Sequence, residues 1–196
     1  MDIEKKGLTA AGLAGGSPRR GRVEHDYYAT PENCTESLLE KIDFKGTILE
    51  PSCGEGHISK VLKSHGFEVY SNDIVDRGYG DMHKDFLEET FDTYDNVITN
   101  PPFKLSKAFI LKSLDVSRDK VAMFCKIQFL EGVSRYEMFK TTPLKHVLVF
   151  VKRQNPYRNG SMYNEHGKKW QSTMCFAWFV WEKGYEGQPM IDWISD

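Results

Sequence analysis

Asn96 to Phe103 read NVITNPPF, an apolar pair followed within three residues by two consecutive prolines. Proline has no amide hydrogen and a locked φ, so neither a helix nor a central strand continues through such a pair. The strand carrying Val97 and Ile98 must therefore end by Thr99, and Asn100 stands where the backbone leaves the sheet. Open α/β folds place their chemistry at the carboxyl ends of strands. The Asn100 side-chain oxygen and the Pro101 carbonyl offer two acceptors for the hydrogens of an amine conjugated to an aromatic ring, which leaves the nitrogen lone pair free to attack. Phe103 adds a stacking face. Taken alone, the tetrapeptide also reads as a stiff loop opener.

The stretch upstream narrows the choice. Thr47 to Leu49 predicts a strand that runs into Glu50-Pro51-Ser52-Cys53-Gly54-Glu55-Gly56, and Ile58, Val61 and Leu62 then repeat at helical spacing as far as Gly66. Strand, glycine turn and helix make half of a nucleotide-binding unit. The turn is neither GxGxxG nor a P-loop, so it is not built to cradle a phosphate. Glu68 to Ile74 predicts the next strand, whose terminal Asp73 is placed to bind both hydroxyls of a ribose, with Ile74 beside it to cover an adenine face. Further helices are expected over Glu32 to Ile42, around Leu105 to Leu114 and over Ser134 to Lys140. Strands are expected at Val121 to Phe124, His146 to Val151 and Thr173 to Trp181, and a short one or none between Met82 and Phe86.

The tetrapeptide Asn100-Pro101-Pro102-Phe103 and the run Glu50-Pro51-x-x-Gly54-x-Gly56 together resemble the signatures of S-adenosylmethionine-dependent amino-methyltransferases. The likeness covers roughly residues 26 to 184 and is nearest to the small stand-alone adenine-N6 DNA methyltransferases of bacteriophages and mobile elements. It implies an α/β fold with a doubly wound, mostly parallel, seven-stranded sheet whose last strand inserts antiparallel. It implies S-adenosylmethionine as cofactor, held by Tyr28, Thr30 and Pro31, by Glu50, Pro51, Ser52, Cys53, Gly54 and Gly56, by Asp73 and Ile74, by Asp85 and Phe86, and by Asn100. Asn100, Pro101, Pro102 and Phe103 become the catalytic set, acting on a flipped-out adenine without a metal. Two other readings of the same motifs stay open. One is methylation of an RNA adenine or a protein glutamine amide, and the other a catalytically silent decoy that only binds the cofactor.

Charge bears on the partner. Residues 31–100 carry 6 Lys+Arg against 15 Asp+Glu, a net of −9, whereas residues 101–170 carry 14 against 5, a net of +9. The basic half suits a polyanion, DNA before RNA. The long loop 152–170 interleaves Lys152, Arg153, Arg158, Lys168 and Lys169 with Tyr157, Tyr163 and Trp170, which suits phosphates and unstacked bases. Residues 1–25, Ala/Gly-rich with a basic cluster at Arg19, Arg20 and Arg22, read as a flexible arm before a catalytic domain over 26–196. With 93 residues after Phe103, little room is expected for a separate target-recognition domain, hence short sequence specificity or none. Cys34, Cys53, Cys125 and Cys175 are scattered and read as structural thiols. The absence of a long apolar run predicts a cytoplasmic protein without a membrane span.

Overall fold

The computed structural model describes residues 27–169 and 173–195; the predicted N-terminal arm and Trp170 lie outside them. In chain order the elements are β1 (Tyr28–Ala29), α1 (Glu32–Lys41), β2 (Ile48–Glu50), α2 (His57–Ser64), β3 (Val69–Ser71), β4 (Tyr94–Thr99), α3 (Ser106–Val116) and β5 (Ser117–Lys126). A 3-10 turn at Ile127–Leu130, α4 (Val133–Thr141), β6 (Leu144–Phe150), β7 (Tyr157–Arg158), β8 (Phe176–Glu182) and β9 (Met190–Ile194) complete the described chain.

Seven strands form one sheet in the order β3-β2-β4-β5-β8-β6-β9. β8 runs antiparallel to both β5 and β6, and every other pairing is parallel. This is the expected doubly wound, mostly parallel seven-stranded sheet with one antiparallel strand. Its seventh member differs in place. Between Met82 and Phe86 a single bridge, Asn72 to Met82, replaces a strand. The count is instead completed by β9 on the opposite edge, so the antiparallel strand is the last but one in the chain.

Neighbouring residues of the central strands point to opposite faces, and both faces are apolar, the mark of a sheet covered on both sides. Ile48, Ile98, Phe124 and Trp178 pack under Cys34 and Leu38 of α1 and Ile58 and Leu62 of α2. Leu49, Val97, Val121, Met123 and Phe179 pack under Phe109, Ile110 and Leu114 of α3. Trp178 is wholly buried, and its indole N–H donates to the Cys34 carbonyl at 2.7 Å, which ties α1 to the antiparallel strand.

Asn72, fully buried just after β3, joins the segments that frame the carboxyl edge. Its amide nitrogen donates to the carbonyls of Pro51 (3.1 Å) and Lys84 (3.0 Å), and its oxygen accepts from the Lys84 amide (2.9 Å). The Asn72→Ala variant strands these buried partners and is expected to lose about 2–3 kcal/mol of stability. Urea unfolding checks this, and a loss below about 0.5 kcal/mol would show that the staple is dispensable.

Candidate active site

The ends of β2, β3 and β4 open onto one cleft. The first side is the glycine turn. Gly54 and Gly56 adopt φ of +56° and +79°, and a Cβ on either would collide with the ring of Tyr27 or Tyr79, so both positions need glycine for conformation and for close approach. Gly56 has no side chain to cap α2. Glu50 does that work from the end of β2: its buried carboxyl accepts from the Ser59 amide at 2.8 Å and from the Ser59 hydroxyl, and Ser59 Oγ lies 2.7 Å from Ser71 Oγ.

Asp73 follows β3 and is 8% exposed. One oxygen accepts from the Gly54 amide (2.8 Å) and the other from the Val75 amide (2.9 Å), which fixes the carboxylate and leaves lone pairs for further donors. Asp85 is held at the rim by the Leu87 amide (2.9 Å), while Phe86 is buried behind it.

The third side is the NPPF segment. Ser52 Oγ lies 2.7 Å from Thr99 Oγ1 and 3.2 Å from the Asn100 carbonyl oxygen, which locks it to the glycine turn. The Asn100 side-chain nitrogen donates to the Tyr28 carbonyl at 2.7 Å. That bond commits the nitrogen and defines the amide oxygen as the free acceptor edge. Phe103 is half-buried; Tyr28 stacks on it at 5.4 Å and 28°, and Lys126 Nζ lies 4.1 Å from the ring centroid.

Of the residues expected to hold a cofactor, Tyr28, Thr30, Glu50, Pro51, Ser52, Cys53, Asp73, Ile74, Asp85, Phe86 and Asn100 line this cleft, as does Pro102 of the tetrapeptide. Pro31, Gly54, Gly56, Pro101 and Phe103 flank it in the chain without lining it. Lys152, Arg153, Tyr157, Arg158, Tyr163, Lys168 and Lys169 do not line it either. Tyr157 and Arg158 form β7, which pairs antiparallel with β1, Tyr28 opposite Arg158 and Ala29 opposite Tyr157. Buried Gln154 accepts from the Asn33 side chain at 3.0 Å and anchors the start of the loop on α1, whereas Tyr163 bridges to Lys169 in an exposed turn.

Tyr27, His57 and Arg77 also line the cleft, and sequence reasoning passed over them. His57 had a readable signal as the first helical residue after the glycine turn; Arg77 had none. Arg77 lies over the Tyr27 ring at 4.3 Å. Thr30 Oγ1, His57 Nδ1 and Arg77 Nε are buried without a hydrogen-bond partner among the described residues. Three such atoms on one cleft mark a place built for a polar ligand. Burial lowers the pKa of His57 and raises that of the Cys53 thiol, so a neutral imidazole and an unreactive thiol face the site.

Among the described residues, no three or more His, Cys, Asp or Glu gather to hold a metal, and no helix is long and apolar enough to cross a membrane.

No protein-family model matches the chain, and no curated protein sequence matches it. Solved structures do. The chain is similar to a protein assigned as an RNA methyltransferase from Pyrococcus horikoshii, with a TM-score of 0.61 and 19% identity over 84% of this chain and 91% of that one. It is similar to magnesium protoporphyrin IX methyltransferase from Synechocystis, solved with bound S-adenosylmethionine, at TM-score 0.53 and 11% identity over 78% and 79%. It is also similar to a dimethyladenosine transferase from Plasmodium falciparum, at 0.51 and 16% over 80% of this chain and 64% of that one. The shared feature is the fold: a Rossmann-like methyltransferase architecture.

Burial raises the Glu50 pKa from an ordinary 4.5 to about 8, against the lowering effect of its bonds to Ser59. The neutral acid is then the favoured folded form at neutral pH, while the unfolded chain ionises near 4.5. Its contribution to stability is fully present below the unfolded pKa and is lost as pH rises through about 8. Glu50→Gln keeps an acceptor for Ser59 and removes the titration. Its Tm is expected to decline less than that of the wild type between pH 6 and 9, and parallel declines in thermal scans would mean that Glu50 folds as a carboxylate.

Proposed function

We propose that this chain transfers a methyl group from S-adenosylmethionine to the exocyclic N6 amino group of adenine in DNA, with short sequence specificity or none. The cleft fits the donor on grounds of its own residues. Asp73, Asp85 and Glu88 outnumber Arg77 and Lys84 along its lining, which suits a cationic ligand rather than a phosphorylated one. The unpartnered Thr30 hydroxyl and His57 nitrogen supply polar groups for an amino-acid end, and Asp73 and Asp85 for ribose and adenine. When bound, S-adenosylmethionine supplies an electrophilic methyl group on sulfur, open to in-line displacement.

The observation that carries the reading is the Asn100 bond to Tyr28. It engages the Asn100 amide nitrogen and leaves the amide oxygen as one acceptor, and the Pro101 carbonyl is the second acceptor of this reading. The two oxygens accept the two hydrogens of an amino group and so direct its lone pair along the cleft. Phe103 and Tyr28 provide the aromatic surface for the base. The proton released after transfer passes to solvent, and no covalent intermediate on the protein is needed.

A nucleic-acid substrate agrees with the net charge of +9 over residues 101–170, and this argues against a glutamine amide as the target. In this reading residues 26–196 act as the catalytic domain, and the exposed cations of the 152–170 loop meet phosphates. Two of the fold neighbours are assigned to RNA and to dimethyladenosine chemistry, so RNA belongs in the test as the second substrate.

Tritiated methyl transfer to duplex DNA, single-stranded DNA and RNA is the test. Label is expected in DNA and recovered as N6-methyladenine. Asn100→Ala is expected to lower the rate by about a hundredfold or more with the protein still folded. Label confined to RNA would move the substrate, and full activity of Asn100→Ala would remove Asn100 from the mechanism.

A further inference from the structure

Beyond β5 the chain makes a small platform next to the tetrapeptide. Lys126, the last residue of β5, lies over the Phe103 ring. The 3-10 turn Ile127–Leu130 follows at once, then Gly132 with φ +131° and α4. Phe129 fastens the platform inward by edge contacts with Phe139 and Phe179. Arg135 Nε donates to the Phe129 carbonyl at 2.8 Å, and its guanidinium lies over the Phe129 ring. Lys107 Nζ, one turn beyond NPPF on α3, donates to the Ser134 carbonyl at 2.7 Å. The base of the platform is therefore rigid and sits directly beside Phe103.

Its tip is the reverse of a core. Met138 is the one buried residue of α4, while Val133 is 91% exposed, Tyr136 59% and Leu130 42%. A valine almost wholly in water beside an exposed leucine and tyrosine is a clustered apolar surface, which solvation alone does not favour. Lys126 over the Phe103 ring, Lys107 on the Ser134 carbonyl and Arg135 on Phe129 set three cations between Phe103 and this tip, against one exposed acid, Glu131, between Leu130 and Val133. Cations around a small rigid apolar projection match a charged backbone with a base stack inside it. They do not match a protein partner, which would need a larger flat patch.

We infer that Leu130 and Val133 form a wedge that enters the base stack of duplex DNA beside the target adenine, holding open the step from which the base is taken to Phe103. The inference rests on the adenine reading above and assigns the strand-opening element within it. Unstacking is required only where the target is stacked. The wedge therefore acts on duplex substrate and is idle on a single strand.

The test uses the full chain and a Leu130→Ala/Val133→Ala double variant, with two readouts on one DNA sequence. The first is the fluorescence of 2-aminopurine placed at the target adenine of a duplex, which needs no methyl transfer. The second is methyl transfer to duplex and single-stranded forms. Because both side chains are exposed, Tm is expected to stay unchanged. Wild type is expected to raise the fluorescence, and the variant to lose the rise. Duplex methylation should fall about tenfold while single-strand methylation holds. A variant that matches wild type in both readouts, or that loses duplex and single-strand activity equally, overturns the wedge. Absence of methylation by wild type on every nucleic acid refutes the adenine reading instead, and a fluorescence rise that depends on Leu130 and Val133 would still support the wedge.

Discussion

The carboxyl of Glu50 against the first turn of α2 is the contact on which the site depends. A glycine turn against which Tyr27 and Tyr79 pack closely cannot also cap the helix it feeds, because neither Gly54 nor Gly56 has a side chain to do so. Glu50 supplies the missing acceptor from the preceding strand, and Ser59 passes the bond on to Ser71 of the next. One buried acid thus sets β2, β3 and α2 relative to each other. Asp73 then reads the same turn from the other side through the Gly54 amide. The cleft is shaped by groups that answer to the turn, not by the turn alone.

A second consequence concerns charge. An acid buried to 1% exposure is held neutral at a cost that any nearby cation relieves. The cleft is therefore a place where positive charge in a ligand and ionisation of the protein favour each other. Beyond Phe103 the balance reverses, and lysines and arginine frame the exposed surface. The two signs meet at Asn100, where an amide with no net charge stands between them.

Much of this was legible in residues that punctuate the chain. Pro101 and Pro102 force the end of β4, Gly54 and Gly56 mark the turn, and Asp73 ends the strand expected to bear it; all three fall on adjacent strand ends. The strand β8 was readable from its aromatic run, and an antiparallel strand was implied only by the family resemblance, which gave it to the end of the chain. What escaped is what depends on distant pairing. β1 and β7 have two residues each, too few for any periodicity, and lie about 130 residues apart. β9 follows Pro189 in a stretch whose apolar residues Ile191 and Trp193 face outward, so no buried run announces it. His57 and Arg77 join Thr30, which the sequence did offer, only after three separate segments converge, and no local pattern joins them. The 152–170 loop was read as one basic element, whereas burial of Gln154 and the β7 pairing split it into an anchored beginning and an exposed turn.

The ribbon of β1 and β7 joins the cleft to a distant part of the chain. It crosses from Tyr28, which carries both the acceptor for Asn100 and the ring on Phe103, to the loop between β6 and β8. Two residue pairs and the Asn159 amide on the Tyr27 carbonyl hold it, against ten residues in β5 alone. Local opening costs least where the fewest buried bonds are broken, so the ribbon can part while the sheet stays intact. Tyr28 of this ribbon both holds the Asn100 side chain and lines the cleft. The orientation of the Asn100 amide and one wall of the cleft are therefore tied to the same two-residue strand.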